Sequence, residues 1–348
     1  MLADRFDLAM EPANQIPSEQ ATQADLDRLL EDTDIWKARI ILSAVDLDVF
    51  SHIGQAGKSL NTLLQETDAE ACMLQRLLNA LAEIGYILKD NDGGYRNTAL
   101  TGTFLDKSSS HYIGSWIRLN SLEWSMWGQL TEVLKGCEQP HNQVFQDPER
   151  LVALINGAHE RAKLAYVGEV LSTIDLQDCH TLLDIGSGLG TYALAFAQQW
   201  PQLKCTLLDQ PIVIEMAKKL IQQYKLEERI SFHSADYLCS DFGGPYDACF
   251  MSNVLHAETE ENVRLLIAKS EACLHPGGKL MIRDNFLSKE GTSGLQGAIF
   301  SLAILMETGH GRSWKRSEIN NMCGEIGLSM ISQTENLMIF KKAAPILS

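Results

Sequence analysis

The stretch that decides the fold is Leu182-Leu183-Asp184-Ile185-Gly186-Ser187-Gly188-Leu189-Gly190-Thr191. It reads as a buried strand that ends in three alternate glycines and continues into a helix. Glycines at such a turn let a ligand touch the backbone, and the helix amino terminus attracts an anionic group. The spacing is G-x-G-x-G, with Asp184 two residues before the first glycine, whereas a dinucleotide fingerprint reads G-x-G-x-x-G. A carboxylate at that point suits an ammonium group better than a pyrophosphate.

Two further carboxylates follow the next two predicted strands. Asp209 closes the strand after the glycine loop, nineteen residues beyond Gly190, where it can accept hydrogen bonds from both hydroxyls of a ribose. Asp236 follows the third strand, in a position to bind an adenine amino group, with Tyr237 beside it to cover the ring. S-adenosylmethionine carries an ammonium, a carboxylate, a ribose and an adenine. The three carboxylates in this order therefore predict S-adenosylmethionine as cofactor rather than a nicotinamide.

Short β-rich runs alternate with helices from Thr181 onward, which predicts a Rossmann-like α/β domain with a mostly parallel sheet. The last two apolar runs, 328–332 and 337–341, are close together and predict an antiparallel hairpin at the sheet edge. The region before Thr181 is mostly helical. Within it, two helices followed by a hairpin around Asn91-Asp92-Gly93-Gly94 predict a winged helix-turn-helix.

The charge of the chain argues against nucleic acid and membrane partners. The 348 residues include 29 Lys and Arg against 45 Asp and Glu, a net charge of -16 that repels phosphate backbones and anionic lipids. The predicted winged helix itself, between Lys58 and Thr98, holds four basic and six acidic residues. A DNA-binding regulator is therefore disfavoured, and a protein-protein scaffold is the better interpretation of this region.

Cysteine and histidine usage gives no sign of a metal site. The eight cysteines form no C-x-x-C pair and the nine histidines no i, i+4 pair, so we expect reduced thiols and no protein-built metal centre. The first twenty residues, with Asp4, Asp7 and Glu11, do not resemble a signal peptide, and no apolar run reaches the length of a membrane span. These features predict a cytoplasmic protein.

Nearly the whole chain resembles the class I S-adenosylmethionine-dependent O-methyltransferases of small molecules, such as the caffeate and hydroxyindole O-methyltransferases. The matching motifs are Asp184 to Gly190, Asp209-Gln210-Pro211, Ala235-Asp236-Tyr237, Asn253-Val254-Leu255-His256, 274–280 and Gly309-His310-Gly311-Arg312-Ser313. The resemblance implies a seven-stranded catalytic sheet preceded by a winged-helix dimerisation domain. We therefore expect cofactor contacts at Asp184, Gly186, Gly188, Asp209, Asp236 and Tyr237, with Ser252 near the methionine end.

The resemblance also implies three regions with separate tasks. Residues 1–110 form a helical winged-helix dimerisation domain, residues 111–175 are connecting helices that line an acceptor pocket, and residues 176–348 are the cofactor-binding catalytic domain. The first 110 residues carry more apolar surface than one small winged helix can cover, which independently predicts an intimate homodimer.

In the family that this chain resembles, a histidine at the position of His256 is the general base that takes the acceptor's hydroxyl proton. Two acidic neighbours differ from the family pattern: Ala257-Glu258 stands where Asp-Trp is usual, and Ser313 stands where a glutamate is frequent. Asp284 matches a family acidic position and is the best remaining group to orient His256. Pairing of Asp284 with Arg283 or with solvent is an equally good interpretation.

The acceptor pocket is expected to involve Trp124, His159, Phe300 and Met306. Core packing explains Trp124 as well, since Trp124 and Trp127 lie on one helix face, and His159 has a structural interpretation too. The stretch Leu295 to Met306 carries no charge before Glu307, which predicts a flat, apolar acceptor rather than a sugar or nucleotide.

These features predict an O-methyltransferase acting on a phenolic, enolic or heteroaromatic hydroxyl of a secondary metabolite. An unactivated aliphatic alcohol is a poor acceptor, because its proton is too weakly acidic for an imidazole base. The alternative is a relative that binds S-adenosylmethionine but performs pericyclic or decarboxylative chemistry, or methylates nitrogen or carbon. The departures around His256 motivate this alternative.

Overall fold

The computed structural model describes residues 22–137, 147–287 and 294–344, and the chain divides into two units, Met1–Gly102 and Thr103–Ser348. The predicted boundaries at 110 and 175 stay predictions. The amino-terminal stretch in which we expect no signal peptide lies outside the described residues. No helix in the described ranges is long and apolar enough to cross a membrane.

The first unit contains the predicted winged helix. Its elements are α1 (Gln23–Asp32), α2 (Ile35–Asp46), α3 (Val49–Ile53), β1 (Lys58–Ser59), α4 (Leu60–Glu66), α5 (Ala71–Glu83), β2 (Ile87–Lys89) and β3 (Gly94–Asn97), followed by α6 (Ala99–Phe104) at the boundary of the units. The hairpin β2–β3 is joined by β1 into an antiparallel sheet of order β1-β3-β2. The two-residue strand β1 was not predicted, because it is too short to show a period of two.

Helix α5 packs through one apolar face, on which Leu74, Leu78 and Leu81 are buried at helical spacing. The first two helices behave differently. Helix α1 buries none of its residues, and Leu30 on α1 and Trp36 on α2 remain 60% and 78% exposed. Large apolar side chains that are clustered and exposed in this way are typical of a protein contact.

The second unit begins with helices. They are α7 (Gly114–Leu122), α8 (Trp124–Trp127), α9 (Leu130–Leu134), α10 (Pro148–Arg161), a π-helical turn (Ala162–Tyr166) and α11 (Val167–Thr173). At the start of helix α10, the Asp147 side chain accepts hydrogen bonds from two backbone N–H groups, and Pro148 stands in the first turn.

The strand-helix alternation then follows the predicted order. Its elements are β4 (Thr181–Ile185), α12 (Thr191–Gln199), β5 (Lys204–Asp209), α13 (Pro211–Tyr224), β6 (Ile230–Ser234), β7 (Tyr246–Ser252), a 3-10 turn (Leu255–Ala257), α14 (Glu260–Ala272), β8 (Leu274–Arg283), α15 (Gly294–Thr308), α16 (Arg316–Glu325), β9 (Leu328–Gln333) and β10 (Leu337–Lys342).

The seven strands form one sheet of order β6-β5-β4-β7-β8-β10-β9. Strands β4 to β8 run parallel, whereas β10 is antiparallel to both β8 and β9, so the sheet is mostly parallel and its edge hairpin lies as predicted. Strand order reverses at β4, which has β5 on one side and β7 on the other. In open α/β sheets, ligands bind outside the carboxyl ends of the strands at such a switch point.

Successive residues of each strand face opposite layers of the core. Leu182 and Phe250 pack toward α12, whereas Leu183 and Met251 pack toward α14 and α16. Because side chains alternate along a strand, Asp184 faces the α12 layer with Leu182. The register of β7 on β8 pairs Ser252 with Arg283, so the ends of these two strands coincide.

Candidate active site

The glycine loop between β4 and α12 has the conformation that its sequence predicts. The φ angles of Gly186, Gly188 and Gly190 are 65°, 55° and 76°, values that residues with a side chain rarely adopt. A Cβ on Gly186 would lie 2.6 Å from Val254 Cγ2, whereas a Cβ on Gly188 would meet nothing within 4 Å. The backbone at Gly188 therefore borders open space into which a ligand can approach.

Among the described residues, four buried polar atoms beside this loop have no hydrogen-bond partner: Asp184 Oδ2, Ser187 Oγ, Tyr192 OH and Ser252 Oγ. They come from the carboxyl ends of β4 and β7, from the loop and from the first turn of α12. Burial, with the Asp209 carboxylate adding to it, raises the pKa of Asp184. Because buried polar groups in proteins are almost always bonded, this cluster indicates a polar ligand.

Asp209 lies at the end of β5 and holds the loop. Its Oδ2 accepts a hydrogen bond from the Gly188 N–H at 2.8 Å, and its Oδ1 accepts one from the Gln210 N–H at 2.7 Å. Burial raises the pKa of Asp209 to about 6, and these two N–H groups oppose the rise. The carboxylate is therefore positioned by the backbone rather than by a cation.

Asp236 and Tyr237 follow β6 at the same edge of the sheet. Asp236 is exposed, and its Oδ1 accepts a hydrogen bond from the Leu238 N–H at 2.8 Å. The Tyr237 hydroxyl donates to Glu258 Oε1 at 2.7 Å, and Asn262 donates to the other oxygen of Glu258. Glu258 thus holds the Tyr237 hydroxyl in place, a role that could not be predicted from its position in the sequence.

His256 and Asp284 are in direct contact. His256 lies in the 3-10 turn after β7, and its Nδ1 is 2.7 Å from Asp284 Oδ1. The His256 backbone N–H donates to Asp284 Oδ2 at 3.2 Å. Both side chains are buried, so the structure brings Asp284 to His256 and not to Arg283 or solvent. Ser313, at the other departure from the family pattern, donates to the Gly297 carbonyl.

The four expected acceptor residues lie at different places. Phe300 on α15 packs its edge on the His256 ring, with centroids 4.8 Å apart, and Met306 on the same helix is buried. His159 on α10 instead contacts Thr191 Oγ1 at 2.8 Å, next to the glycine loop, and burial lowers its pKa to about 4. Trp124 begins α8 and is partly exposed.

Three charged residues of this region were missed from the sequence. Glu123 is 6% exposed and pairs with Arg150 at 2.9 Å. Burial and the Glu123 carboxylate raise the pKa of Glu307 on α15 to about 7, while His256 and Arg150 oppose that rise. Glu123 and Arg150 are 27 residues apart, so no sequence pattern joins them. Glu307 was visible only as the first charge after an apolar stretch.

No group of three or more His, Cys, Asp or Glu side chains within the described part of the chain could hold a metal ion.

Both units of the chain match family models of O-methyltransferases. Residues 135–329 match the model of the O-methyltransferase domain, and residues 33–107 match that of the O-methyltransferase dimerisation domain. A 3-hydroxy-5-methyl-1-naphthoate 3-O-methyltransferase from Streptomyces sahachiroi is 23% identical over 306 residues, which cover 86% of this chain and 88% of the relative.

Two solved structures share the fold. An O-methyltransferase family protein from Burkholderia thailandensis has a TM-score of 0.81 at 24% identity, with 94% of this chain and 100% of that chain covered. Human N-acetylserotonin methyltransferase in complex with S-adenosylmethionine has a TM-score of 0.82 at 18% identity, with 94% and 99% covered.

Proposed function

The chain belongs to the O-methyltransferase family, and on that premise we propose that it methylates a phenolic, enolic or heteroaromatic hydroxyl of an apolar small molecule, with S-adenosylmethionine as methyl donor. The observation that carries the proposal is the buried contact of His256 with Asp284, at the same edge of the sheet as the glycine loop and its unpartnered polar atoms.

The described residues fit the cofactor. When bound, S-adenosylmethionine supplies an electrophilic methyl group on a sulfonium. The Asp184 carboxylate and the backbone of Gly186 and Gly188 are available to the methionine end, where Asp184 Oδ2 and Ser252 Oγ lack partners. Asp209 is available to the ribose hydroxyls. Asp236 and Tyr237 follow β6, the next strand along that edge, and are assigned to the adenine.

His256 is the proposed general base. A neutral ring that donates from Nδ1–H to Asp284 carries its lone pair on Nε2, which is the atom that takes the acceptor's proton. Between an ordinary imidazole and an ordinary phenol the transfer is uphill by roughly 3.5 pKa units, about 5 kcal/mol, which partial transfer in the transition state can absorb. Asp284 stabilises the imidazolium as it forms.

The acceptor is proposed to lie along α15. Ile304 and Met306 on this helix are buried, and Phe300 packs on the proposed base, so the wall near His256 is apolar and aromatic. Glu307, one residue beyond Met306, supplies a polar group at the end of that wall. This arrangement suits a flat aromatic ring that carries its hydroxyl toward His256, and the naphthoate named for the Streptomyces relative is likewise a flat aromatic hydroxy compound.

The protein is proposed to act as a homodimer. The match of residues 33–107 to the dimerisation domain supports this. The exposed apolar side chains of α1 and α2, among them Leu29, Leu30, Ile35 and Trp36, supply a surface that a second copy can cover.

The direct test of the function is incubation with methyl-labelled S-adenosylmethionine and a library of phenols and hydroxyheteroaromatics. We expect S-adenosylhomocysteine to form and the label to appear on an acceptor oxygen, measured by mass spectrometry and NMR. Label on nitrogen or carbon would contradict O-methylation. An acceptor that is consumed while no S-adenosylhomocysteine forms would favour the pericyclic or decarboxylative alternative.

The role of Asp209 is tested by the pH dependence of S-adenosylhomocysteine binding. The ionised carboxylate is the better acceptor for ribose hydroxyls, so affinity should fall as the pH is lowered through about 6, the pKa of Asp209. Asp209→Asn should bind about 10- to 100-fold more weakly at pH 7.5 and lose this dependence. Titration calorimetry measures both, and unchanged affinity in the variant would refute the assignment.

The role of His256 is tested by turnover and by pH-rate profiles on two phenols of different acidity. His256→Ala should lower turnover by about 10² to 10⁴, the usual loss for a general base, while S-adenosylhomocysteine affinity is retained. Asp284→Asn should lower it less, because an amide oxygen still accepts from Nδ1–H. His275→Ala, an exposed histidine at the start of β8, is the matched control. A profile that follows the phenol and ignores His256→Ala would exclude the base assignment.

The proposed homodimer is tested by introducing a charged side chain into the exposed apolar surface of the first unit. The native chain should have about twice its chain mass of 38.7 kDa in light scattering at micromolar concentration. Trp36→Glu should shift the mass toward the monomer, because it places a charge in an apolar contact. Leu265→Glu, an exposed apolar residue of α14, should remain dimeric. A native monomer would overturn the proposal.

A further inference from the structure

Arg283 is an arginine buried at the end of β8. It is only 2% exposed and ranks among the largest fully buried side chains of the protein. Its Nη1 donates to Asn253 Oδ1 at 2.9 Å, and its guanidinium lies 4.0 Å from the centre of the Tyr166 ring. An amide oxygen and an aromatic face are the neighbours that hold it.

Among the described residues, no carboxylate forms an ion pair with Arg283, and the adjacent Asp284 uses both of its oxygens on His256. A guanidinium stays protonated in proteins, and a buried charge is costly unless it is paired. Arg283 is therefore a buried cation that an anionic ligand could neutralise.

Two buried hydroxyls, which lie near each other and have no other hydrogen-bond partner among the described residues, lie beside it. Ser252 is paired with Arg283 in the register of β7 on β8, so both side chains face the α12 layer of the core. Tyr192, on the first turn of α12, points its hydroxyl into the same layer, and the Arg283 guanidinium is close enough to oppose the rise that burial causes in the Tyr192 pKa. A guanidinium and two hydroxyl donors together match the oxygens of a carboxylate.

The opposite charge lies nearby on the same side of the sheet. Asp184 is the penultimate residue of β4, which pairs with β7, and its Oδ2 also has no hydrogen-bond partner among the described residues. A carboxylate on one strand and a guanidinium two strands away form a pair of charges that an α-amino acid complements, with its ammonium at Asp184 and its carboxylate at Arg283. The methionine end of the proposed cofactor is such a group.

We propose that Arg283, together with the hydroxyls of Ser252 and Tyr192, binds the α-carboxylate of the cofactor's methionine end. The proposal rests on the proposed function. Asn253 positions the guanidinium from a backbone of φ 57°, a left-handed conformation that asparagine adopts more readily than most residues. Tyr166, at the end of the π-helical turn, supports the other face of the guanidinium.

The test compares two ligands on the full chain by titration calorimetry. S-adenosylhomocysteine carries the amino-acid group, whereas 5′-methylthioadenosine has the same adenosine and a thioether but no amino-acid group. Arg283→Met should weaken the binding of S-adenosylhomocysteine by about 10- to 100-fold, the usual effect of losing a charge-assisted hydrogen bond. It should leave the affinity for 5′-methylthioadenosine within about twofold of the native value. Arg283→Lys should recover part of the loss.

Arg229→Met is the matched control. Arg229 also lacks a carboxylate partner within the described ranges, but its Nη1 donates to the carbonyls of Ala197 and Pro201, near the opposite ends of the strands. This variant should lower thermal stability and leave the ratio of the two affinities unchanged. If Arg283→Met does not fold, Ser252→Ala and Arg283→Lys test the proposal instead, since both should weaken the binding of S-adenosylhomocysteine and not that of 5′-methylthioadenosine.

Three results would overturn the inference. Equal weakening of both ligands would mean that Arg283 only supports the fold of the site. Unchanged affinity for both ligands would mean that the anion is bound elsewhere. Unchanged affinity together with a raised KM for carboxylated acceptors alone would assign Arg283 to the acceptor instead. If the native protein binds neither ligand, the cofactor proposal fails as well, and that outcome is distinct from the other three.

Discussion

The contact between His256 and Asp284 is the constraint on which the rest of the proposed chemistry depends. Asp284 accepts from both the ring and the backbone of His256, which ties the turn after β7 to the end of β8. That tie requires β7 and β8 to be neighbours in register, as they are from Ala248–Lys279 to Ser252–Arg283. The ring is thereby held with one nitrogen committed to a carboxylate, and the other nitrogen is the one that the proposed reaction uses.

The parallel sheet gathers the remaining groups at one edge. Each strand from β4 to β8 ends in, or leads directly into, a residue that the proposed reaction uses. Face alternation then sorts them, because Asp184, Ser252 and Arg283 turn toward the α12 layer, whereas the turn after β7 carries His256 to α15 and Phe300. The cofactor side and the acceptor side thus meet at the end of β7. Charges of opposite sign on the cofactor side suit a zwitterion, and the acceptor side is mainly apolar.

Much of the fold and of the candidate site can be predicted from local sequence. The glycine loop, the carboxylates after β5 and β6, the strand-helix alternation and the winged helix were predictable, since motif spacing and hydrophobic period act over a few residues. The sequence leaves Asp284 open between His256, Arg283 and solvent, and only the register of two strands resolves that choice. Glu123 with Arg150, and Tyr192 with Ser252, come together only through tertiary packing. The burial that raises the pKa of Glu307 to about 7 is likewise a property of the fold rather than of the segment.

Whether His256 can act as the base is tested most directly by the protonation of its ring, read from nitrogen-15 NMR of the histidine-labelled protein at neutral pH, with the signal assigned by its loss in His256→Ala. We predict a neutral ring with the proton on Nδ1, facing Asp284, and an unprotonated Nε2. A ring protonated on Nε2, whether singly or as the imidazolium, would contradict it, because no lone pair would then be available to accept the proton of a hydroxyl.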